Sequence, residues 1–416
     1  MSLFRPRTIT QTILAAAKTF PSLVLTGPRQ SGKSTLLKKL FSSTHAVVSL
    51  EDPDTRMRAK EDPRRFLEQY HPPVIIDEIQ YVPELLSYIK TRIDEKRKPG
   101  QWLFTGSQQF SLMRGVSQSL AGRIAVLDLL PFSYAEAINR GGQSLEPAAW
   151  IARIQKETLH SSSQTARLPL SQWLFRGGFP EPASAPKIDI QQWYGSYLST
   201  YIERDVRNLS QVGDLGQFEQ FLRMCAIRTG QLLNLSEMAK DIGISSPTAK
   251  RWLSILETSE LIFLLRPYFR NLGKRLVKRP KLFFCDTALA AHLLGIHDEK
   301  TLMHSPSYGH LFETMVVMDV VKRFRHHGLM PSLSLSYLRT RSGLEIDLVI
   351  DLNGKLHLFE VKSGMTITNK HAAALIQLRR ELPKEIGTTA IISASNENFA
   401  IARDVMNFNW KTMLAL

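Results

Sequence analysis

The stretch Leu25-Thr26-Gly27-Pro28-Arg29-Gln30-Ser31-Gly32-Lys33-Ser34-Thr35 decides how the chain is read. It has the form G-x-x-x-x-G-K-[ST], a loop that wraps a phosphate chain. Backbone N–H groups must close around the anion, and Gly27 and Gly32 permit that approach. Lys33 brings a point charge to the β- and γ-phosphates, and Ser34 offers a hydroxyl to Mg²⁺. The pattern assigns the whole run, with Pro28, Arg29, Gln30, Ser31 and Thr35, to contact with ATP. The apolar run Leu23-Val24-Leu25 before it reads as a buried strand. The spacing of Leu36, Leu37 and Leu40 after it predicts a helix whose positive end faces the anion.

Working outward, residues 8–20 read as a short amphipathic helix and Ala46 to Leu50 as a second strand. A charged helical stretch covers 55–70. Pro73-Val74-Ile75-Ile76-Asp77-Glu78-Ile79-Gln80 is then a run of β-formers ending in two carboxylates. In that position Asp77 holds the Mg²⁺ shell and Glu78 orients or deprotonates an attacking water. Gln101 to Ser107 is a further apolar strand with a polar tip. If it lies between the two motif strands, Ser107 or Gln108 comes near the γ-phosphate. Arg123, before the strand Ile124 to Leu129, is a candidate arginine finger for a neighbouring subunit, with Arg114 as its competitor.

The loop, the Asp77-Glu78-Ile79-Gln80 strand, Thr105-Gly106-Ser107 and Ala121-Gly122-Arg123 before Leu130-Pro131-Phe132-Ser133 together resemble one family. It is the bacterial and archaeal AAA+-type ATPases that carry a C-terminal domain of unknown function, similar also to the archaeal ATPase clade. The resemblance spans nearly the whole chain. It implies a helix-flanked sheet, a small helical lid and a homo-oligomeric ring, for instance a hexamer. The expected fold class is α/β multidomain, divided as an ATPase core at 1–132, a helical lid at 133–208, a winged-helix domain at 209–300 and a nuclease-like domain at 301–416.

In the lid, Arg176 is a candidate second sensor beside the nucleotide, and 182–186 reads as a hinge. Tyr194, Tyr197 and Tyr201 fall at helical spacing and read as core packing. From 217 onward, helices at 218–225, 235–242 and 247–257, with Gly243 in the turn, have helix-turn-helix spacing. Lys250 and Arg251 stand near the start of the third helix. The hairpin that follows carries Arg266, Arg270, Lys274, Arg275, Lys278, Arg279 and Lys281 with no acid between, and Tyr268 and Phe269 interleave. That is the pattern of phosphate contacts to DNA.

The last block has the element order α-β-β-β-α-β, with Asp347 and Glu360-x-Lys362, and resembles the PD-(D/E)xK nuclease superfamily. Asp347 and Glu360 at facing strand ends are placed to share one Mg²⁺, with Glu313 completing the shell and Lys362 polarising water. Glu345 is a further ligand and Gln377 an orienting side chain. A degenerate fold kept for DNA grip or dimerisation stands beside the active one.

Composition agrees with this picture. The net charge of +15 favours a polyanionic partner, nucleic acid before an anionic membrane surface. No apolar run reaches the length of a membrane span, so no membrane association is expected. The first residues carry no secretory h-region. Two cysteines, Cys225 and Cys285, give no disulfide framework or zinc spacing, as expected in the cytoplasm. Three functions follow in order: a DNA-stimulated motor for unwinding or branch migration; an ATP-regulated, Mg-dependent DNA endonuclease; and a nucleotide switch that binds a protein partner in a toxin–antitoxin or defence setting.

Overall fold

A computed structural model describes residues 4–106, 119–156, 168–201, 214–268 and 277–416. The first unit is a five-stranded sheet built from β1 (Ser22–Thr26), β2 (Ala46–Ser49), β3 (Val74–Asp77), β4 (Trp102–Thr105) and β5 (Ile124–Asp128). All neighbours are parallel and the order is β2-β3-β4-β1-β5. The three central strands are buried along their full length, which their unbroken apolar runs dictate in a sheet covered on both faces. The edge strands expose Val47 and Val126. Helix α1 (Thr10–Thr19) and helix α2 (Lys33–Phe41) cover one face through Ile13, Leu36 and Leu37. Phe66, Leu86 and Ile89 cover the other. Strand β4 lies between β1 and β3, as the sequence suggested, so the tips of both motif strands and of β4 meet at one edge. The charged stretch 55–70 is two helices, Pro53–Glu61 and Pro63–Gln69, because Asp62 caps the second and Pro63 opens it.

Beyond β5 come helical segments, among them Pro147–Lys156, Leu170–Arg176 and Ile190–Tyr201. The expected hinge at 182–186 is mostly helix, Pro180–Ser184, opened by Pro180 at its first turn. Helices Leu215–Ile227, Leu235–Ile242 and Ser246–Thr258 then pack with β6 (Gln231–Leu232), β7 (Ile262–Leu265) and β8 (Lys281–Phe284). These strands form an antiparallel sheet of order β6-β8-β7. Gly243, at φ +75°, makes the turn between the second and third helices, and Ser245 caps the third.

The separate C-terminal sheet has the order β13-β14-β12-β11-β10-β9. Strands β9 (Leu335–Arg339), β10 (Glu345–Leu352) and β11 (Lys355–Lys362) are antiparallel, and β12 (Ile386–Ser393) joins β11 in parallel after the helix Asn369–Glu381. Two strands absent from the sequence reading, β13 (Phe399–Ala402) and β14 (Val405–Asn409), extend the sheet. They are short, and β14 carries Asn407 and Asn409, poor strand formers that here bond the turns beside them. A short helix, Pro331–Ser334, leads into β9.

One helix, Tyr308–His326, ties the units together. At 19 residues it is about 28 Å long, and most of its side chains are buried. Its Lys322 ammonium donates to the Phe132 carbonyl at 2.9 Å, and Asp319 accepts from the Tyr134 N–H at 2.6 Å. A single continuous core runs from Leu130 to Leu414, through all three units expected after residue 132. Among the described residues no helix is long and apolar enough to cross a membrane. Cys225 and Cys285 are both free and buried.

Candidate nucleotide site and the C-terminal acidic cluster

The loop between β1 and α2 is built for close approach. A Cβ on Gly27, at φ +136°, would stand 2.3 Å from the Leu129 carbonyl oxygen, so only glycine fits. Arg7 braces the loop from outside by donating to the Ser31 carbonyl at 2.9 Å. Its guanidinium is held by Glu136 at 3.2 Å, and Glu136 also faces His326 at 3.4 Å. Glu136 stays ionised far below the usual carboxylate range: burial opposes this, but Arg7 and His326 outweigh it.

Lys33 folds back on its own loop and donates to the carbonyls of Gly27 and Pro28 at 3.0 and 2.8 Å. Burial lowers its pKa to about 8, while Glu78, Glu260 and Asp77 oppose the change. A buried ammonium of this kind gains from an arriving polyanion. Asp77, at the tip of β3, accepts from the hydroxyls of Ser34 and Thr105. Glu78 follows in the left-handed region, φ +57°, a strained position for a non-glycine residue. Its N–H donates to Thr105 Oγ1 at 3.0 Å, and its carboxylate accepts from the Gln80 amide. A cleft of about 410 Å³ opens over these groups, lined by Arg29, Gln30, Lys33, Ser34 and Glu78, and by Tyr197 and Thr200 of the helix Ile190–Tyr201. Tyr197 is packed as expected, stacked on Trp193 with ring centroids 5.4 Å apart, yet it also reaches this cleft.

The loop residues, Asp77 and Glu78 are thus brought together. Ser107, Gln108 and Arg114 lie outside the described residues, as do Arg270, Lys274 and Arg275. Thr105, the residue that joins Asp77 to Glu78, was missed; its signal was its place two residues before the expected sensor tip. Arg123 forms a two-pronged ion pair with Asp94, at 2.6 and 3.1 Å. It precedes β5 at the sheet edge opposite the loop, so it serves no nucleotide of its own chain. Arg176 donates to the carbonyls of Pro182 and Ala185. Lys250, Arg251, Lys278 and Arg279 are exposed, as is Arg266. Part of the basic hairpin is stitched to the C-terminal sheet, since Tyr268 donates to the Tyr337 carbonyl and Val277 to that of Arg339.

Lys281 requires a correction. Counted from sequence with the exposed basic residues, it is buried, because β8 carries it into the C-terminal carboxylates. Its ammonium lies 2.9 Å from Glu313, 2.8 Å from Glu345 and 3.0 Å from Asp347. Lys362 lies 2.9 Å from Glu360 and 3.6 Å from Asp347. Of the acids read as metal ligands, Glu313, Glu345 and Asp347 converge on the Lys281 ammonium, and Glu360 pairs with Lys362. Among the described residues no group of three or more His, Cys, Asp or Glu side chains is arranged to hold a metal ion. Gln377 is turned to its own helix, donating to Glu381 at 2.9 Å.

Three family models match the chain. Residues 19–138 match an AAA domain, 167–300 a domain of unknown function (DUF8612), and 308–412 another (DUF4143). An uncharacterized protein of Mycobacterium tuberculosis is 28% identical over 390 residues, covering 93% of this chain and 79% of its own, and one of Mycobacterium bovis matches to the same extent. Among solved structures, a Walker-type ATPase of Pyrococcus abyssi is 16% identical at a TM-score of 0.44, covering 70% of this chain and 99% of its own. The RuvB Holliday junction branch migration motor of Thermotoga maritima is 17% identical at a TM-score of 0.29, covering 62% and 88%.

Proposed function

We propose that this chain, an AAA+-type P-loop ATPase by its residues 19–138, hydrolyses ATP and couples turnover to work on DNA. The observation that carries the hydrolytic reading is the cluster at the strand tips, where Ser34 and Thr105 both bond Asp77 while Glu78 stands beside the cleft. The residues fit ATP with Mg²⁺. The loop offers amides and Lys33 to the phosphates, and Ser34 and Asp77 would hold the ion. Mg²⁺ supplies neutralisation of the phosphate oxygens. Glu78 takes the proton of the attacking water once it leaves the Gln80 amide. The helices before residue 201 act as the lid, with Tyr197 and Thr200 at the mouth. Arg123 acts on a neighbouring subunit of a ring, for instance a hexamer.

Coupling to DNA falls to the domain at 209–300, read as a winged helix. Three helices precede an antiparallel hairpin, with Lys250 and Arg251 on the third helix and Arg266, Lys278 and Arg279 exposed around the hairpin. The order of elements in the C-terminal unit supports a PD-(D/E)xK-like fold, here used for grip rather than cleavage, because Lys281 stands among its acids. The test is ATP turnover by purified protein with duplex, single-stranded and branched DNA. Several-fold stimulation by one form, falling steeply with salt, is expected. Turnover indifferent to every form would overturn the DNA reading and leave a nucleotide switch with a protein partner.

A further inference from the structure

We propose that Lys281 is the resident cation of the C-terminal carboxylate cluster, an internal plug that keeps a divalent metal out. The proposal does not depend on how ATP turnover is used. An ammonium has three N–H donors and no acceptor. At Lys281 all three have an acid within reach, Glu313, Glu345 and Asp347, each at 3.0 Å or less. The acids are equally engaged. Asp347 offers Oδ1 to Lys281, while its Oδ2 accepts the Val361 N–H at 3.0 Å and faces Lys362. Glu360 binds Lys362 through one oxygen and accepts the Asp347 N–H through the other at 3.3 Å. Arg339 stands 3.3 Å from the second oxygen of Glu345.

A Mg²⁺-sized ion needs about six oxygens at roughly 2.0–2.1 Å and keeps several waters. Here the position between Glu313 and Asp347 is filled by an alkylammonium in a buried setting. Two cations sharing one Asp347 oxygen would repel with little water to screen them. The lysine comes from β8, in a different sheet from β10, so the plug also fastens the middle unit to the C-terminal one. That junction is continued by the Tyr268 and Val277 hydrogen bonds to β9.

The experiment uses the full chain without nucleotide and Mn²⁺ alone as the probe, with free Mn²⁺ read by electron paramagnetic resonance. Wild-type protein and Lys281→Arg are expected to show no Mn²⁺ site that Asp347→Asn removes. Lys281→Met, which keeps much of the side-chain volume, is expected to gain one site, at least about tenfold tighter than anything in wild type. Adding Asp347→Asn to Lys281→Met should abolish it. A wild-type Mn²⁺ site lost in Asp347→Asn would overturn the proposal, and this arm needs no Lys281 variant to fold. A folded Lys281→Met chain with no gained site would overturn it as well.

Discussion

At the tip of β3, Asp77 is met by three hydroxyls, those of Ser34, Thr105 and Ser49; in the first half of β10, Asp347 is met by two lysines. Both acids stand in apolar strands and are buried, and both stand beside a second acid, Glu78 or Glu360. The neighbours separate them. The hydroxyls are neutral and the Lys38 ammonium stands 4.0 Å away on a half-exposed side chain, so much of the charge of Asp77 remains to be matched by something that arrives in the cleft lined by Ser34 and Glu78. Asp347 is already matched by groups of the same chain. A carboxylate pair at a strand end is therefore no measure of metal chemistry until its counter-charges are known.

The sharpest way to break this comparison is at Glu78. Glu78→Gln should lower ATP turnover by about 10²–10⁴-fold, the usual span for loss of a general base, with nucleotide still bound. Steady-state hydrolysis and a fluorescent-nucleotide titration check both halves. Glu360→Gln should leave turnover unchanged. An equal loss from both variants would mean that the two acid pairs share one reaction.

Next in size is the stability of the plugged cluster. Lys281→Ala strands the acids Glu313, Glu345 and Asp347 around a void and should destabilise the protein by about 3–5 kcal/mol, read from denaturant unfolding. Lys281→Arg should recover much of this. At the nucleotide site Lys33→Ala should abolish turnover with a far smaller loss of stability, because burial already disfavours its charge. Thr105→Val comes third. It removes the hydroxyl bonded to Asp77 and to the Glu78 N–H, so turnover should fall by roughly 10- to 100-fold, the equivalent of one charged hydrogen bond. A KM change without a change in kcat would show that Thr105 serves binding alone.

The same contrast explains what the sequence could reveal. Lys33 and Ser34 belong to one loop, and Asp77 and Glu78 to one strand end, so local pattern named them. The β4 strand was legible from its apolar run, and Thr105, two residues before its polar tip at Ser107, was passed over because only the tip drew attention. Lys281 was not legible: it is 32 residues from Glu313 and 66 from Asp347. Its neighbours in sequence are basic, so its charge was counted with theirs at the surface. The antiparallel pairing of β8 between β6 and β7 aims it inward. Arg7, Glu136 and His326 were hidden in the same way, because ion pairs between distant segments leave no periodic trace.

The smallest effect separates the two sites by the sign of their pH dependence. Burial, then the charge of Asp347, raises Glu313 from 4.5 to about 8, and the same causes raise Glu360 to about 8. A carboxyl with a raised folded pKa contributes stability that is complete below its unfolded pKa and is lost as pH rises through about 8. Lys33 runs the other way. Its folded pKa is depressed from 10.5 to about 8, so its contribution is complete above 10.5 and is lost as pH falls through about 8. Between pH 5 and 8 the cluster should therefore set the slope, with stability falling as pH rises by at most about 1.4 kcal/mol per pH unit for each group. Urea midpoints at pH 5, 6.5 and 8 read this directly. Glu313→Gln should flatten the fall, since its amide has no proton to lose. An unchanged slope would mean that Lys281 holds Glu313 ionised throughout, and the plug would then be a full ion pair at every pH in that window.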